Sequence, residues 1–304
     1  MTSYFGTDGI RGPAGTGPLS PASVRRFGQA IGKVVRARQV EETSDEAPVV
    51  FIGRDTRESG PAIVSQLVQG LASQGVEARN LGVVPTPAIA YLTRLHGGAL
   101  GLVVSASHNP APDNGIKVFD AEGFKASDAL ELAIEDAYDL FQAAQSRSSP
   151  RLPSLSPSPG ATEDAEVALR QAYADHLVAA GGGEGSLKGV KIALDAAHGA
   201  VFELAPQVFQ RLGAELVVRY AEPDGTNINW ACGALRPDVI ASVVPEVGAH
   251  LGLSFDGDGD RVLLVDETGA VRDGDFMLAV WARALLEQDA LPHQTVVGTV
   301  MANI

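Results

Sequence analysis

Val49-Val50-Phe51-Ile52-Gly53-Arg54-Asp55-Thr56-Arg57 is the stretch on which the fold turns. Four apolar residues in a row read as a short buried strand, and the run ends in a glycine-hinged polar loop. A helix follows from about Pro61, with Ile63, Leu67 and Leu71 on one stripe. Upstream, past a glycine-rich opening (Gly6 to Gly17), Val24, Phe27, Ile31 and Val34 give Pro21 to Val40 a helical spacing, and a polar stretch, Glu41 to Ala47, leads into the strand. Downstream come a strand over Leu81 to Val84, Pro85-Thr86-Pro87 and a helix to about Leu95. Strands Leu100 to Val104 and Ile116 to Phe119 follow, then a helix over Asp128 to Ala144. Strands alternating with helices indicate an α/β domain with a largely parallel or mixed sheet.

The pattern starts again after Ser146 to Pro159, where six serines and four prolines mark a linker. The second set has helices at Glu163 to Ala180, about Phe202 to Leu212 and Asp238 to Val247, and strands at Val190 to Asp195, Leu216 to Tyr220 and Leu251 to Phe255. A third set is expected to open with strand Val262 to Asp266, a turn at Glu267-Thr268-Gly269, a helix at about Phe276 to Leu286 and a strand over Thr295 to Val300. The expected fold is thus successive α/β domains with mixed, mostly parallel sheets: 1–150, 151–255, and an incomplete third domain over 256–304. Apolar strands run into Gly- or Asp-rich loops at Ile52, Val104, Leu194 and Phe255. In open α/β sheets ligands sit at such carboxyl ends.

At 304 residues the chain has room for about two domains and part of another. Twenty-three basic against 37 acidic residues give a formal charge of −14, which argues against a nucleic-acid or anionic-membrane binder but leaves room for a small anionic substrate in a cleft. A single cysteine, Cys232, cannot form an intrachain disulfide and fits a reducing, cytoplasmic setting. No apolar run approaches the ~18 residues of a membrane span, and the opening residues lack the pattern of a signal peptide.

The sharpest local signal is Phe255-Asp256-Gly257-Asp258-Gly259-Asp260-Arg261. Three carboxylates alternating with glycines at a strand end can converge, and they repel one another unless a cation such as Mg²⁺ or Ca²⁺ neutralises them. The competing reading is a solvated Asp-Gly turn. An EF-hand fits poorly, because Arg261 stands where the loop needs glycine and an apolar strand follows. Ser105-Ala106-Ser107-His108-Asn109-Pro110 follows another strand, where a serine could be a nucleophile or phosphoryl carrier, or the loop could be a plain polar turn. Lys117 by itself reads as a surface lysine. Gly6-Thr7-Asp8-Gly9-Ile10-Arg11-Gly12 and Gly53 to Arg57 are hinged loops whose arginines suit phosphate. His198, in Asp195-Ala196-Ala197-His198, is expected to be structural, and the six histidines show no zinc-like pairing.

Together these loops, with Pro85-Thr86-Pro87, Asp113-Asn114-Gly115-Ile116-Lys117 and Asn227-Ile228-Asn229, resemble the α-D-phosphohexomutase superfamily in order and spacing. The opening motif tilts the likeness to the glucosamine-phosphate branch of bacteria. The resemblance implies that Ser107, not Ser105, carries a phosphoryl group, with Mg²⁺ on Asp256, Asp258, Asp260 and an oxygen of phospho-Ser107. It implies interconversion of glucosamine 6-phosphate and glucosamine 1-phosphate through a 1,6-bisphosphate, feeding amino-sugar nucleotide and cell-wall synthesis. Lys117 matches the general base, its pKa lowered by Mg²⁺ and arginine neighbours. Arg11 and Arg261 match arginines near the reacting phosphoryl, and His108 and Asn109 shape the loop. Arg54 and Asp55 support the first domain's loop.

Family members are longer. The sugar-recognition loop of their third domain and the phosphate-gripping loop of their fourth have no counterpart in this sequence, so the 304-residue chain is expected to be poorly active alone. Alternatives are a phosphomannomutase/phosphoglucomutase of the same superfamily, a non-catalytic Mg²⁺-binding fragment, and a phosphatase that loses the group to water. The expected partners are a small phosphosugar and, at most, a second copy in a homodimer, with no nucleic acid and no membrane.

Overall fold

A computed structural model describes residues 4–42, 47–145, 163–300 and 302. Its first unit runs β1 (Ile10–Pro13), α1 (Pro21–Glu42), β2 (Val49–Arg54), α2 (Gly60–Ala72), β3 (Glu77–Val83), α3 (Thr86–Leu95), β4 (Leu100–Val104), β5 (Asp113–Phe119) and α4 (Asp128–Gln145). The sheet order is β1-β5-β4-β2-β3. Strand β2 lies parallel to β3 and β4, whereas β5 is antiparallel to both β4 and β1. Alternation along the strands sorts the core. Val50, Ile52, Leu102 and Val104 pack with Phe27, Leu67 and Ile134 of α1, α2 and α4. Phe51 and Val103 turn to the other face, against Ile89 and Leu92 of α3. Burial on both faces explains the continuous apolar run of β2, each large side chain contributing about 1.5–3 kcal/mol.

The second unit runs α5 (Glu163–Ala180), β6 (Lys191–Asp195), α6 (Leu204–Arg211), β7 (Glu215–Arg219), α7 (Pro237–Val247), β8 (Leu251–Phe255), β9 (Val262–Asp266), β10 (Val271–Arg272) and α8 (Gly274–Glu287). Its sheet order is β10-β9-β8-β6-β7, with β6 parallel to β7 and β8, and β9 antiparallel to both β8 and β10. Ile240 and Val244 of α7 pack on Ala193 and Val265. Leu169 and Tyr173 of α5 pack instead in the α3 core of the first unit, joining the two.

Three expectations change. Strand β9 does not open a third set of elements; it is the antiparallel partner of β8, so the second sheet reaches past residue 255 to Arg272. Thr295 to Val300 forms no strand, because an apolar run becomes one only with a ladder partner, and Val297 and Val300 stand exposed. The edge strands β1 and β10 escape a pattern search, being four and two residues long with no apolar run. The Ser146 to Pro159 linker lies outside the described residues. Helix α8, capped by the Asp273 carboxylate accepting from Phe276 N, buries none of its residues. No helix among the described residues is long and apolar enough to cross a membrane.

Candidate active site

The loops after β4 and β8 meet between the two units. In the first, Ser107 is fully buried with a left-handed backbone, φ +52°, a conformation costing a non-glycine residue about 1–3 kcal/mol. Arg57 offsets that cost. It is completely buried, and its guanidinium donates to the carbonyls of Ser107 (3.0 Å), Asn109 (2.8 Å), Asp113 (2.9 Å) and Pro110. Its Nε donates to Asp55 Oδ2 at 2.8 Å. The same carboxylate oxygen accepts from Ser105 Oγ at 2.6 Å, and Ser105 Oγ in turn accepts from Ser107 N at 2.8 Å. From the second unit, Asn229 Nδ2 donates to the carbonyls of Ser107 (2.8 Å) and Asn109 (3.2 Å). Burial pushes the Asp55 carboxyl above its usual range, with Arg57 and Ser105 opposing.

The second loop brings Asp256, Asp258 and Asp260 together, with ligand atoms within 4.8 Å of one another. Ser107 Oγ donates to Asp256 Oδ2 at 2.7 Å, and Arg261 N to Asp256 Oδ1 at 3.0 Å. Asp258 Oδ2 accepts from Thr86 Oγ1 (2.5 Å) and Lys117 Nζ (2.8 Å), while its buried Oδ1 has no partner among the described residues. Burial, then the Asp258 and Asp260 charges, pushes the Asp256 carboxyl up. Burial also acts to raise Asp258, but Lys117 and the hydroxyls hold it low. A buried carboxylate oxygen without a donor, inside a self-repelling acidic cluster, fits a hard divalent cation. Glycine at 257 allows the approach, since a Cβ there would stand 2.6 Å from the Ser107 carbonyl.

Around this pair stand the cations. Arg261 Nη2 donates to Ser107 Oγ at 2.5 Å and lies 2.5 Å from His108 Nδ1, while its Nε is 3.2 Å from Asp256 Oδ2. Burial, then Arg261 and Arg11, lowers the His108 pKa, favouring the neutral ring. His108 Nδ1 is 3.4 Å from Ser107 Oγ. Arg11 pairs with Asp8, whose Oδ2 is 3.5 Å from Lys117 Nζ. Burial acts to lower the Lys117 pKa, but Asp258 and Asp260, at 2.8 and 2.9 Å, outweigh it and raise it.

All the candidate residues therefore gather at one place, Arg11 at its rim. Arg57, by contrast, is spent on backbone carbonyls rather than free to grip phosphate. Ser105, Thr86 and Asn229 also hold the site, and their roles depend on contacts more than a hundred residues apart for the latter two. His198 is structural: its carbonyl accepts from Thr56 Oγ1 at 2.6 Å, and its ring Nδ1 from Glu222 N at 3.2 Å.

A buried serine hydroxyl facing a three-carboxylate cluster and an arginine, at the strand ends of paired α/β units, brings together a nucleophile, candidate metal ligands and a cation, the groups that phosphoryl transfer requires. The models of phosphoglucomutase/phosphomannomutase α/β/α domains I and II match residues 2–144 and 171–269. Phosphoglucosamine mutase of Chlamydia pneumoniae is 43% identical over the whole chain, and that of Xanthomonas oryzae pv. oryzae 45% over 99% of it; the chain spans 63% of each. A phosphoglucomutase/phosphomannomutase family protein of Burkholderia thailandensis superposes with a TM-score of 0.74 at 28% identity, over 94% of this chain and 59% of that one. Parafusin from Paramecium gives 0.66 at 19% identity, over 93% and 56%, a likeness of fold. The chain belongs to the α-D-phosphohexomutase superfamily.

Proposed function

We propose that the chain carries the phosphoryl-carrier and metal-binding part of a phosphoglucosamine mutase, interconverting glucosamine 6-phosphate and glucosamine 1-phosphate. The observation that carries this reading is Ser107 Oγ placed 2.7 Å from Asp256 and 2.5 Å from Arg261, in relatives-wide company of phosphoglucosamine mutases at 40–45% identity. Asp256, Asp258 and Asp260 would hold Mg²⁺, which when bound supplies charge neutralisation for the phosphoryl oxygens. Phospho-Ser107 gives its phosphoryl to the sugar O1: the P–Oγ bond breaks and the P–O1 bond forms. The sugar's O1 proton passes to a base and Ser107 Oγ takes up a proton; in the return step the P–O6 bond breaks and the P–Oγ bond forms, Ser107 giving up its proton and O6 gaining one. Arg261 steadies the charge on the transferring group.

Lys117 is the candidate base. Held by two carboxylates it is a cation, so the base role requires those carboxylates to be drawn onto another cation. Arg57 and Asn229 keep the Ser107 backbone fixed, so the hydroxyl reacts from one position.

Intact-mass spectrometry of protein from cells should show a population one phosphate heavier, absent from Ser107→Ala. Persistence of that mass in the variant would assign the carrier elsewhere. A longer chain including the relatives' further segment, assayed beside this one, should favour glucosamine 6-phosphate over mannose and glucose phosphates. Preference for the hexose phosphates would support a phosphomannomutase/phosphoglucomutase instead.

A further inference from the structure

Among the carboxylate oxygens of the acidic loop, one differs from the rest. Both oxygens of Asp256 accept hydrogen bonds, from Ser107 Oγ and from Arg261 N, and Asp260 Oδ2 accepts from Lys117. Asp258 takes both of its donors, Thr86 Oγ1 and Lys117 Nζ, on Oδ2. Its Oδ1 is buried and bare. A carboxylate is free to turn about its terminal bond, so the side chain that holds Oδ2 decides where Oδ1 points.

Thr86 is built for that task. It opens α3 between Pro85 and Pro87, whose rings restrict the backbone on both sides. Its own N–H donates to the Asp258 carbonyl at 2.8 Å, so one residue grips Asp258 by backbone and by carboxylate. Its side chain is β-branched, with few rotamers, and almost wholly buried. It also belongs to the first unit, whereas Asp258 belongs to the second.

We infer that Thr86 is a positioning residue for the divalent cation: by occupying Asp258 Oδ2 from the first unit it aims Oδ1 at the ion, and so makes the metal site a joint between the two units. The inference rests on the reading of the acidic loop as a metal site. It assigns Lys117 a second duty, since its ammonium shares Oδ2 with the threonine hydroxyl. Outer partners of metal ligands of this kind are worth about 10–100-fold in affinity.

The test is Mn²⁺ binding to the 304-residue chain, by calorimetry and by paramagnetic resonance of the free ion, beside the melting temperature without metal. Thr86→Val keeps the shape and removes the hydroxyl; it should weaken Mn²⁺ about 10–100-fold, while the metal-free melting temperature falls only by the few degrees that one lost hydrogen bond costs. Thr86→Ser restores the hydroxyl and should recover most of the affinity. Should the valine variant fail to fold, Thr86→Ala carries the same comparison with serine. Wild-type affinity in Thr86→Val, or an equal loss in the serine and valine variants, overturns the inference. Asp258→Ala separates the two layers. If it abolishes binding while Thr86→Val does not weaken it, only the positioning role falls; if wild type binds no Mn²⁺ or Asp258→Ala binds normally, the metal site itself falls and the inference with it.

Discussion

Hairpins β4–β5 and β8–β9 occupy the same place in their sheets and carry different chemistry. Each sheet has two parallel pairings beside two antiparallel ones, and in each the loop between the antiparallel neighbours faces the other unit. The first loop presents Ser107, the second Asp256, Asp258 and Asp260. Behind each loop a buried aspartate closes the neighbouring parallel strand: Asp55 after β2, Asp195 at the end of β6. Their partners differ. Asp55 has the Arg57 guanidinium and the Ser105 hydroxyl. Among the described residues Asp195 has only neutral donors, Ala197 N and Gly233 N at 2.8 Å and Ser254 Oγ at 3.5 Å. The same scaffold thus places an ion pair behind one loop and an aspartate with neutral donors behind the other. Both aspartates stand beside left-handed backbone, Ser107 near the first and Ala197 and His198 after the second.

The largest effect should come from removing the cation. Arg57→Ala removes the cation that opposes the burial-driven rise of the Asp55 pKa, and strips the donors from the carbonyls of Ser107, Asn109 and Asp113. Breaking a buried pair from one side costs about 3–5 kcal/mol. Arg57→Lys should restore only part, because an ammonium cannot span carbonyls that a planar fork reaches together. Urea unfolding of the three proteins measures this, and near-wild-type stability in the alanine variant would dissolve the contrast between the two anchors.

Next comes the anchor without a cation. Burial pushes the Asp195 carboxyl up to about 6, with the Gly233 and Ala197 amides opposing. A carboxyl raised on folding adds stability that is complete below its unfolded pKa, about 4, and is lost as pH rises through about 6. Wild type should therefore lose on the order of 2–3 kcal/mol relative to Asp195→Asn between about pH 4 and pH 7. The asparagine also carries a pH-independent penalty, because its amide donors face an N–H group. A gap between the two proteins that stays constant with pH would mean that Asp195 is solvated well enough to remain ionised throughout.

Much of this scaffold is visible in the chain itself. Strands β2, β4, β8 and β9 show because burial on a sheet demands apolar runs, and the acidic loop shows because glycines alternate with its aspartates. What stays hidden depends on partners distant in the chain. Strands β1 and β10 exist by pairing, while the apolar run at Thr295 to Val300 finds no ladder. Arg57 looks like any loop arginine until the fold wraps carbonyls around it. Lys117 by itself reads as a surface lysine, yet the fold buries it between Asp258 and Asp260. Ser105 and Ser107 look alike in sequence, yet the first hydroxyl is fixed between Asp55 and the Ser107 amide, while the second faces the carboxylates.

The smallest expected effect concerns the residue between the two members of the ion pair. Asp55 and Arg57 turn into their own unit, but Thr56 turns outward, and its hydroxyl donates to the His198 carbonyl in the loop that follows Asp195. It is the direct link between the two anchoring loops, and it is neutral. Thr56→Val should cost about 1 kcal/mol, the net worth of one hydrogen bond, and should leave the pH slope assigned to Asp195 unchanged, since Asp195 is held by other groups. Parallel unfolding curves of Thr56→Val and wild type at several pH values test both halves. If the substitution flattens the slope, the two anchors are coupled through Thr56, and the second loop owes part of its electrostatics to the first.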